Sequence, residues 1–395
     1  MIAYIENMAE KISSALINLY DSAFIKCKPE ENVEMKFKCI TKVLRILEYK
    51  REELNYKFMM NNPMVRGDFV KDKNMKMIED GCLNFLTFVT EGSQKRLFKD
   101  SAVALAGALM GIAQEIGVFG LNKDIDKAFK YYSAASRQNN ALGAFRLGLF
   151  YEKGTVKAKS YKKAIAYYKH AAKLGLIEAM HTFGTILIYG DLNSHKDTST
   201  GLFYLKMAVK KSNEDYAYPY YDLARIFEAD NNVTDIVPDN KYAFLLYEKG
   251  AYMGCPNCQY RIGRAYEFGE LYQEKSLKDA VKWYLSSAEL GQTDAQLGIS
   301  TFYFTGLRDV IDRDYNKAYT WALKAAVKGH HMASFCVADY IENGIGIKRD
   351  ITHAMWWYTI SSALGNKKAK EKVQELKKRY YSKRKAIKFM GCCSF

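Results

Sequence analysis

The chain has 395 residues, of which 49% are hydrophobic, and a formal net charge of +15 at pH 7. This apolar content is that of a folded protein, and five prolines with no low-complexity tract exclude long disordered linkers. The longest apolar run, Ala102 to Ala113, has twelve residues, whereas a membrane-spanning helix needs about 20, so we expect no transmembrane helix.

The N-terminal residues do not read as a secretory signal, because they lack a basic start and carry acidic residues early. The eight cysteines are scattered, and most of them lie in predicted helices. We therefore expect reduced thiols and a cytosolic protein.

Residues 1–100 are predicted to form an N-terminal helical region. Met8 and Ile12 have the spacing of one helix face, and Pro63 with the polar stretch 66–74 divides the region into two helical blocks. The region carries no repeat signature. The sequence leaves open whether it is an N-terminal cap, a set of degenerate repeats or a separate partner-binding module.

Residues 101–365 repeat with a period of about 36 to 40 residues, and each repeat has two half-patterns. The first reads small-x-x-x-apolar-small-x-x-aromatic-x-x-Gly, as in residues 143–154. The second reads x-Ala-x-x-aromatic-aromatic-x-x-Ala-Ala-x-x-Gly, as in residues 163–175. Two helical halves at this period predict a solenoid of stacked helical hairpins rather than one globular core.

The predicted fold class is all-α, a right-handed αα-superhelix of seven repeats with a concave face. The fourth repeat is the most divergent, because it has Pro219 and Asp230 where the other repeats have a small residue and a glycine. Its polar loop, residues 230–240, is a bending site, a contact loop or a tolerated insertion. The first small residues of the seven repeats are Ala106, Gly143, Ala179, Pro219, Cys258, Ala295 and Ala333.

Glycines are predicted to have two structural roles in the repeats. Inside the first helix, a small residue lets the second helix approach closely, and at a helix end glycine adopts the left-handed conformation without steric cost. Asn139 and Ser212 close two copies in place of glycine, and Asn is the better substitute. The glycines assigned to these roles are Gly148, Gly154, Gly175, Gly184, Gly190, Gly263, Gly269, Gly291, Gly306, Gly329, Gly344 and Gly365.

The last segment, residues 366–395, is predicted to contain a capping helix and a basic tail. Ala369, Val373 and Leu376 are the sparse apolar positions expected of a terminal cap. The segment has eleven Lys or Arg and only two acidic residues, so nine of the fifteen net positive charges lie in it. This charge predicts that the tail meets an acidic surface such as anionic lipid or nucleic acid.

The half-patterns resemble the Sel-like repeat, an alanine- and glycine-rich relative of the tetratricopeptide repeat, over about two-thirds of the chain. Members of this class are mostly adaptors that hold other proteins. Residues 116–124, followed by Lys127-Ala128-Phe129, look like the opening repeat of the fungal chitin synthase activators. That resemblance implies a cytosolic regulator that binds a membrane-embedded chitin synthase. The long low-complexity flanks common in that family are absent from this sequence.

The chain ends in Cys392-Cys393-Ser394-Phe395, and a cysteine fourth from the end has the position that prenyltransferases recognise. Ser394 is not aliphatic, so two alternatives stay open: both cysteines are prenylated, or their position is accidental. One lipid chain anchors weakly, and a polybasic patch is the usual second signal. We therefore expect lipidation of Cys392 and attachment to the cytoplasmic face of the plasma membrane or of vesicles. The expected membrane-binding residues are Lys377, Lys378, Arg379, Lys383, Arg384, Lys385 and Lys388.

Other motifs are interpreted as structural. Cys255 and Cys258 form a CxxC motif without a second ligand pair, and Cys258 occupies a small position of the repeat. His330 and His331 are adjacent, so they cannot bind a metal from one helix face, and we expect a turn there. No catalytic residue, metal site, cofactor or small-molecule substrate is predicted. The acidic residues expected to cap second helices are Asp124, Asp279, Asp314 and Asp350.

The sequence thus favours a non-enzymatic scaffold that binds and activates or localises a membrane chitin synthase. The alternative is a general adaptor in polarity, trafficking or signalling with a different client. A hydrolase of the bacterial cysteine-rich Sel-like type is disfavoured, because the paired cysteines are missing. We expect a protein partner and no nucleic acid; binding of nucleic acid by the tail would require RNA or DNA to be retained at moderate salt.

Overall fold

The computed structural model describes residues 32–59, 73–91, 99–228 and 236–378, together with residue 20 and residues 23–24. All the regular elements in these ranges are helices, apart from two isolated bridges in loops. The predicted all-α repeat fold is therefore confirmed. The chain divides into two compact units near residue 227.

In the first unit, the helices from α3 to α8 form three hairpins, each packed on the hairpin before it, and two N-terminal helices pack on the first hairpin. The helices are α1 (Val33–Met59), α2 (Lys73–Glu91), α3 (Asp100–Ile116), α4 (Ile125–Arg137), α5 (Ala141–Lys153), α6 (Tyr161–Lys173), α7 (Ile177–Tyr189), α8 (Thr198–Lys211) and, reaching the division, α9 (Tyr218–Phe227).

The second unit repeats the same arrangement of packed hairpins. Its helices are α10 (Asn240–Tyr252), α11 (Pro256–Phe268), α12 (Leu277–Glu289), α13 (Thr293–Thr305), α14 (Tyr315–Val327), α15 (His331–Asn343), α16 (Ile351–Ala363) and α17, residues 367–378. The seven predicted repeats correspond to the helix pairs from α3 to α16. The division between the units falls within the fourth repeat, which comprises α9 and α10.

The second helices begin at side chains that accept a hydrogen bond from the backbone N–H three residues later. Asp124, Asp314 and Asp350 do this as predicted. The prediction for Asp279 is wrong, because Ser276 caps α12 and Asp279 lies in the first turn, where it accepts the Ser276 hydroxyl. Ser276 has the extended backbone of a cap residue, with φ −144°. Each such cap contributes about 1 kcal/mol to helix stability.

The glycines placed at helix ends have positive φ angles. At Gly154, φ is 70° and the N–H donates to the carbonyl of Phe150 at 2.9 Å, which closes α5 with a left-handed residue. Asn139 follows α4 in the same left-handed conformation, with φ 56°. Ser212, the residue that follows α8, has φ −59° and is therefore not left-handed. The others with positive φ are Gly175, Gly190, Gly269, Gly291, Gly306, Gly329, Gly344 and Gly365.

The glycines inside first helices lie where the second helix comes closest. A Cβ at Gly148 would be 2.5 Å from the ring of Tyr168, and a Cβ at Gly263 would be 2.8 Å from the ring of Tyr284. In the third repeat, a Cβ at Gly184 would be 2.9 Å from the backbone oxygen of Gly201. Glycine therefore makes room for a tyrosine ring in two of these repeats and for the helix backbone in the third.

Helix α17 covers the end of the last hairpin. Its apolar positions Ala369, Val373 and Leu376 are all buried, as expected of a capping helix. The Asn366 side chain accepts from the N–H of Ala369 at 3.2 Å and so caps the start of the helix. The buried strip of α17 continues the repeat by one more first helix.

Candidate functional site

Four repeats share a hydrogen bond between their two helices, in which a buried Tyr of the second helix donates to a Glu near the end of the first. Burial and then the bonded carboxylate raise the pKa of Tyr168, Tyr284 and Tyr358, so these phenols remain neutral donors. They therefore brace the hairpin and supply no acid–base chemistry. The pairs and their O–O distances are Tyr132–Glu115 (2.6 Å), Tyr168–Glu152 (2.5 Å), Tyr284–Glu267 (2.6 Å) and Tyr358–Glu342 (2.8 Å).

Two repeats replace both partners of this pair together. Repeat 3 has Ile188 and Leu205 at the two positions, and repeat 6 has Phe304 and Ala322. A buried polar group without its partner costs about 1–3 kcal/mol, which explains why the two positions change as a pair. This pairing was not predicted, although the joint replacement is visible in the sequence.

The first helices of repeats 5 and 6 form an open groove of about 290 Å³. The Tyr284–Glu267 pair lies at its base. A Cβ at Gly298 would have only the Tyr284 ring within 4 Å, at 4.0 Å, so the backbone of α13 is open to the groove at this point. The other lining residues are Tyr260, Arg264 and Phe268 from α11, and Asp294, Leu297 and Thr301 from α13.

The strip formed in repeat 6 by Asp294, Leu297, Gly298 and Thr301, with the equivalent positions of the other repeats, is called the inner strip below. Thr301 is exposed, and Leu297 and Gly298 are half-buried. In repeat 6, the inner strip therefore presents an accessible apolar and polar surface. It is the best candidate there for contact with another molecule.

Asp294 is the acidic group at the edge of the groove. It lies 3.0 Å from Nε2 of His330 and 2.8 Å from the side-chain nitrogen of Gln292. The hydrogen bond from His330 is the main reason that the pKa of Asp294 is lowered. Nδ1 of His330 accepts from the N–H of Ala333 at 3.1 Å, so the ring hydrogen lies on Nε2, which donates a hydrogen bond to the Asp294 carboxylate. His330 therefore caps α15 and links two repeats.

A second acidic group, Asp339, lies on the inner strip of repeat 7. Burial and then the neighbouring Glu342 raise the pKa of the Asp339 carboxyl. Burial and then Asp339 raise the pKa of the Cys336 thiol to about 11, so this thiol is protonated at neutral pH. Lys372 of α17 lies 3.6 Å from Glu342 and partly offsets this concentration of negative charge.

Ion pairs hold the start of the second unit together. Nε of Arg261 donates to Glu228 at 2.7 Å, and Nη1 donates to Glu270 at 2.6 Å. Arg264 reaches Glu270 as well, at 3.3 Å. Because both acceptors flank one half-buried guanidinium, this cluster ties residue 228 and the loop after α11 to the first helix of repeat 5.

The first unit contains a different polar cluster, around His181 of α7. Nδ1 of His181 lies 2.8 Å from the hydroxyl of Tyr216, and Nε2 lies 2.6 Å from Asp222 of α9. These contacts join the third repeat to the first helix of the fourth. A histidine held at both nitrogens orients its neighbours, and we interpret this cluster as structural.

The CxxC motif, which was interpreted as structural, lies in a packed part of the chain. Cys255 and Cys258 are both buried, and Cys258 has the small position of its repeat. Within the residues that the structure describes, no group of three or more potential ligands could hold a metal ion. In the same part of the chain, every helix is too short or too polar to span a bilayer.

Two of the predicted membrane-binding residues, Lys377 and Lys378, are exposed at the end of α17. The basic segment therefore begins at the last residues of the capping helix. The remaining predicted residues, Arg379, Lys383, Arg384, Lys385, Lys388 and Cys392, lie outside the described residues.

Six segments of the chain, together more than half of it, match the Sel1 repeat: residues 104–140, 141–176, 220–255, 256–292, 293–330 and 332–366. The chain therefore belongs to the Sel1 repeat family. The family pattern matches the fourth repeat and leaves both helices of the third unmatched, so the prediction that the fourth is the most divergent is wrong. The third departs because Gly201 and Leu205 replace the usual Ala and Tyr of its second helix.

The chain is 32% identical over 268 residues to "Chitin synthase regulatory factor 3" of Schizosaccharomyces pombe, covering 68% of this chain and 28% of that protein. It is 28% identical over 290 residues to "Chitin synthase regulator SKT5" of Saccharomyces cerevisiae, covering 70% of this chain and 41% of that one. The chain thus spans less than half the length of these two relatives.

Among solved structures, the fold is similar to that of a Sel1 repeat protein from Oxalobacter formigenes. The TM-score is 0.54 with 20% identity, and the match covers 89% of this chain and 94% of the other. At this identity, the likeness supports the repeat fold alone.

Proposed function

We propose that this protein is a non-enzymatic adaptor that binds a membrane chitin synthase and regulates it. The similarity of about two-thirds of the chain to proteins named as chitin synthase regulators carries this proposal. The pattern of the chain itself agrees, because its signature residues are packing and capping positions. The regulatory contact then depends on exposed residues of the repeats.

We further propose that the basic tail attaches the protein to the cytoplasmic leaflet, with Cys392 as the lipid-modified residue. Lys377 and Lys378 begin the basic segment at an exposed helix end, and five more basic residues follow within ten positions. Each basic residue near an anionic leaflet contributes about 1 kcal/mol, so several together make the attachment of one lipid chain firm.

The two attachments act together in this scheme. A client embedded in the membrane and an adaptor tethered to the same membrane meet at a high effective concentration, on the order of millimolar for short flexible linkers. A modest affinity between the repeats and the synthase is then sufficient for a stable complex. Regulation follows from where and how long the adaptor holds the enzyme.

The test replaces Cys392 with Ser and measures membrane fractionation, recovery of chitin synthase with the protein, and wall chitin. We expect the variant to leave the membrane fraction and wall chitin to fall. The matched control is Cys393→Ser, which keeps the lipid-accepting cysteine; loss of membrane attachment in this control favours prenylation of both cysteines. A Cys392→Ser protein that stays on membranes contradicts the anchor. Absence of chitin synthase from the purified wild-type complex contradicts the client and favours an adaptor with another partner.

A further inference from the structure

The two sets of helices in repeats 1 to 3 carry opposite charge. The first helices of these repeats, α3, α5 and α7, contain two basic and four acidic residues. The second helices, α4, α6 and α8, contain ten basic residues and one acidic residue. The positive charge of these repeats is therefore concentrated on the second helices.

The basic residues of the second helices form a regular patch. Positions 130, 133 and 137 of α4, and the equivalent positions of α6 and α8, are spaced three and four residues apart and so lie on one face of each helix. These nine positions are called the outer patch below. Eight of them are exposed, and none is acidic. The cations of the outer patch are Lys130, Arg137, Lys169, Lys173, Lys206 and Lys210.

The ends of neighbouring second helices lie beside each other at this patch. Nζ of Lys211, next to Lys210 on α8, lies 3.5 Å from the carbonyl oxygen of Gly175, which follows α6. Burial raises the pKa of Tyr167 on α6, and Arg137 at the end of α4 acts against this shift, which places the Arg137 charge near α6. The three helices therefore present their cations as one surface.

The charge of the patch does not serve the fold. Lys169 with Lys173 and Lys206 with Lys210 are like charges four residues apart, an arrangement that destabilises a helix. Among the residues that the structure describes, the salt bridges of these repeats use other basic residues, such as Arg146. An anionic surface that covers the patch would remove the repulsion.

The repeat pattern does not require this charge either. The four second helices of the second unit have twelve positions equivalent to those of the outer patch. Lys282 is the one basic residue among them, and Glu248 and Glu289 are acidic. The outer patch is therefore a particular property of repeats 1 to 3.

An exposed aromatic ring lies inside the patch. Phe203 is 59% exposed, and Lys206 and Lys210 follow it on the same face of α8. Lysines around an exposed apolar side chain are typical of a membrane interface, where the ring enters the acyl boundary and the ammonium groups meet anionic headgroups. Five of the six cations are lysines, whose point charges suit diffuse headgroups, whereas nucleic-acid sites favour arginine.

We propose that the outer patch of repeats 1 to 3 is a second membrane-binding surface, which lies on anionic phospholipid and inserts Phe203 into it. It adds to the tail of the proposed function and depends neither on a lipid at Cys392 nor on the client. Each second helix packs on its first helix through the opposite face, so the first helices of these repeats lie away from the leaflet.

The test measures binding to vesicles of phosphatidylcholine with one-third phosphatidylserine. The parent protein is the full chain with Cys392→Ser and Cys393→Ser, so that no lipid anchor contributes. The basic tail is the same in every variant. A difference between variants therefore reports on the repeats.

Two triple variants with the same change of charge are compared. Each basic residue near an anionic surface contributes about fivefold to binding, so we expect about a hundredfold loss for a variant of the outer patch and less than about threefold for the control. Melting curves should be unchanged, since Glu four residues before Lys173 and Lys210 forms favourable pairs. The outer-patch variant is Lys130→Glu with Lys169→Glu and Lys206→Glu, and the control changes exposed residues of the second unit, Lys241→Glu with Lys278→Glu and Lys348→Glu.

A second pair of variants tests the aromatic ring. Phe203→Ala removes it, and the matched control is Leu245→Ala, at the equivalent position of α10, where the side chain is 51% exposed. Loss of a partly inserted ring should weaken vesicle binding about fivefold, and the control should bind as the parent chain does.

Equal losses for the two triple variants overturn the outer patch and leave the tail anchor and the client of the proposed function standing. Equal binding by Phe203→Ala and Leu245→Ala overturns insertion of the ring. RNA binding that the outer-patch variant loses while vesicle binding stays unchanged overturns lipid as the ligand in favour of nucleic acid. Absence of vesicle binding by the parent chain overturns both the patch and the basic tail as lipid-binding surfaces.

Discussion

Alanine at Gly263 and alanine at Gly298 should change the stability of the second unit in opposite directions. Both glycines lie inside first helices of neighbouring repeats, and each substitution gains about 1 kcal/mol in helix propensity. At Gly298 little opposes this gain, since the nearest atom to a new Cβ is 4.0 Å away. At Gly263 the new Cβ lies 2.8 and 2.9 Å from two carbons of the Tyr284 ring.

The Tyr284 ring has little room to move. It is 3% exposed, its hydroxyl is bonded to Glu267 at 2.6 Å, and Tyr260 packs beside it. Overpacking of this kind costs about 1–3 kcal/mol, so Gly263→Ala loses up to about 2 kcal/mol after the propensity gain. Gly263→Leu inserts three more carbons and should lose about 3 kcal/mol.

The assay is urea unfolding of the full chain followed by circular dichroism, with the Gly298→Ala protein as the matched control. The expected result is a lower urea midpoint for both Gly263 variants and a higher one for Gly298→Ala. Equal upward shifts at the two positions, or an unchanged midpoint for Gly263→Leu, would refute the close approach of the two helices in repeat 5.

Two further predictions concern polar contacts. Because the pKa of Asp294 is lowered in the folded state, its hydrogen bonds stabilise the protein above the ordinary Asp pKa of about 3.9, and this contribution is lost as the pH falls through the folded pKa. Asp294→Asn should therefore cost under about 1 kcal/mol at pH 7 and almost nothing at pH 2 in urea titrations; an equal cost at both pH values contradicts the linkage. Tyr284→Phe should cost about 1–3 kcal/mol, because Glu267 loses its donor, and adding Glu267→Leu should restore part of that loss. A double variant less stable than Tyr284→Phe alone would show that the pair is not a unit.

The repeat architecture could be predicted because it follows from local rules. The alternation of small residues, aromatic pairs and closing glycines sets helix ends and close approaches within about forty residues. The capping helix also follows from Ala369, Val373 and Leu376. The error at Asp279 has a local cause as well, since Ser276 three residues earlier competes for the same capping role.

The parts that could not be predicted depend on distant contacts. Arg45 and Glu178 are 133 residues apart in the chain, and no local pattern indicates that α1 packs on the first repeat and reaches the third through this ion pair. The groove at Gly298 is open because glycine has no side chain, and the packing positions that recur among the repeats do not reveal such an opening. The Tyr–Glu pairs could have been predicted, because the sequence shows both positions replaced together in two repeats. The replacements are Ile188 and Leu205 in repeat 3, and Phe304 and Ala322 in repeat 6.

The proposed adaptor function is tested most directly by the binding of the purified full chain to a purified chitin synthase in detergent, followed by biolayer interferometry. We expect saturable binding of the wild-type chain to the synthase. No saturable binding of the wild-type chain at concentrations up to the millimolar range would contradict it.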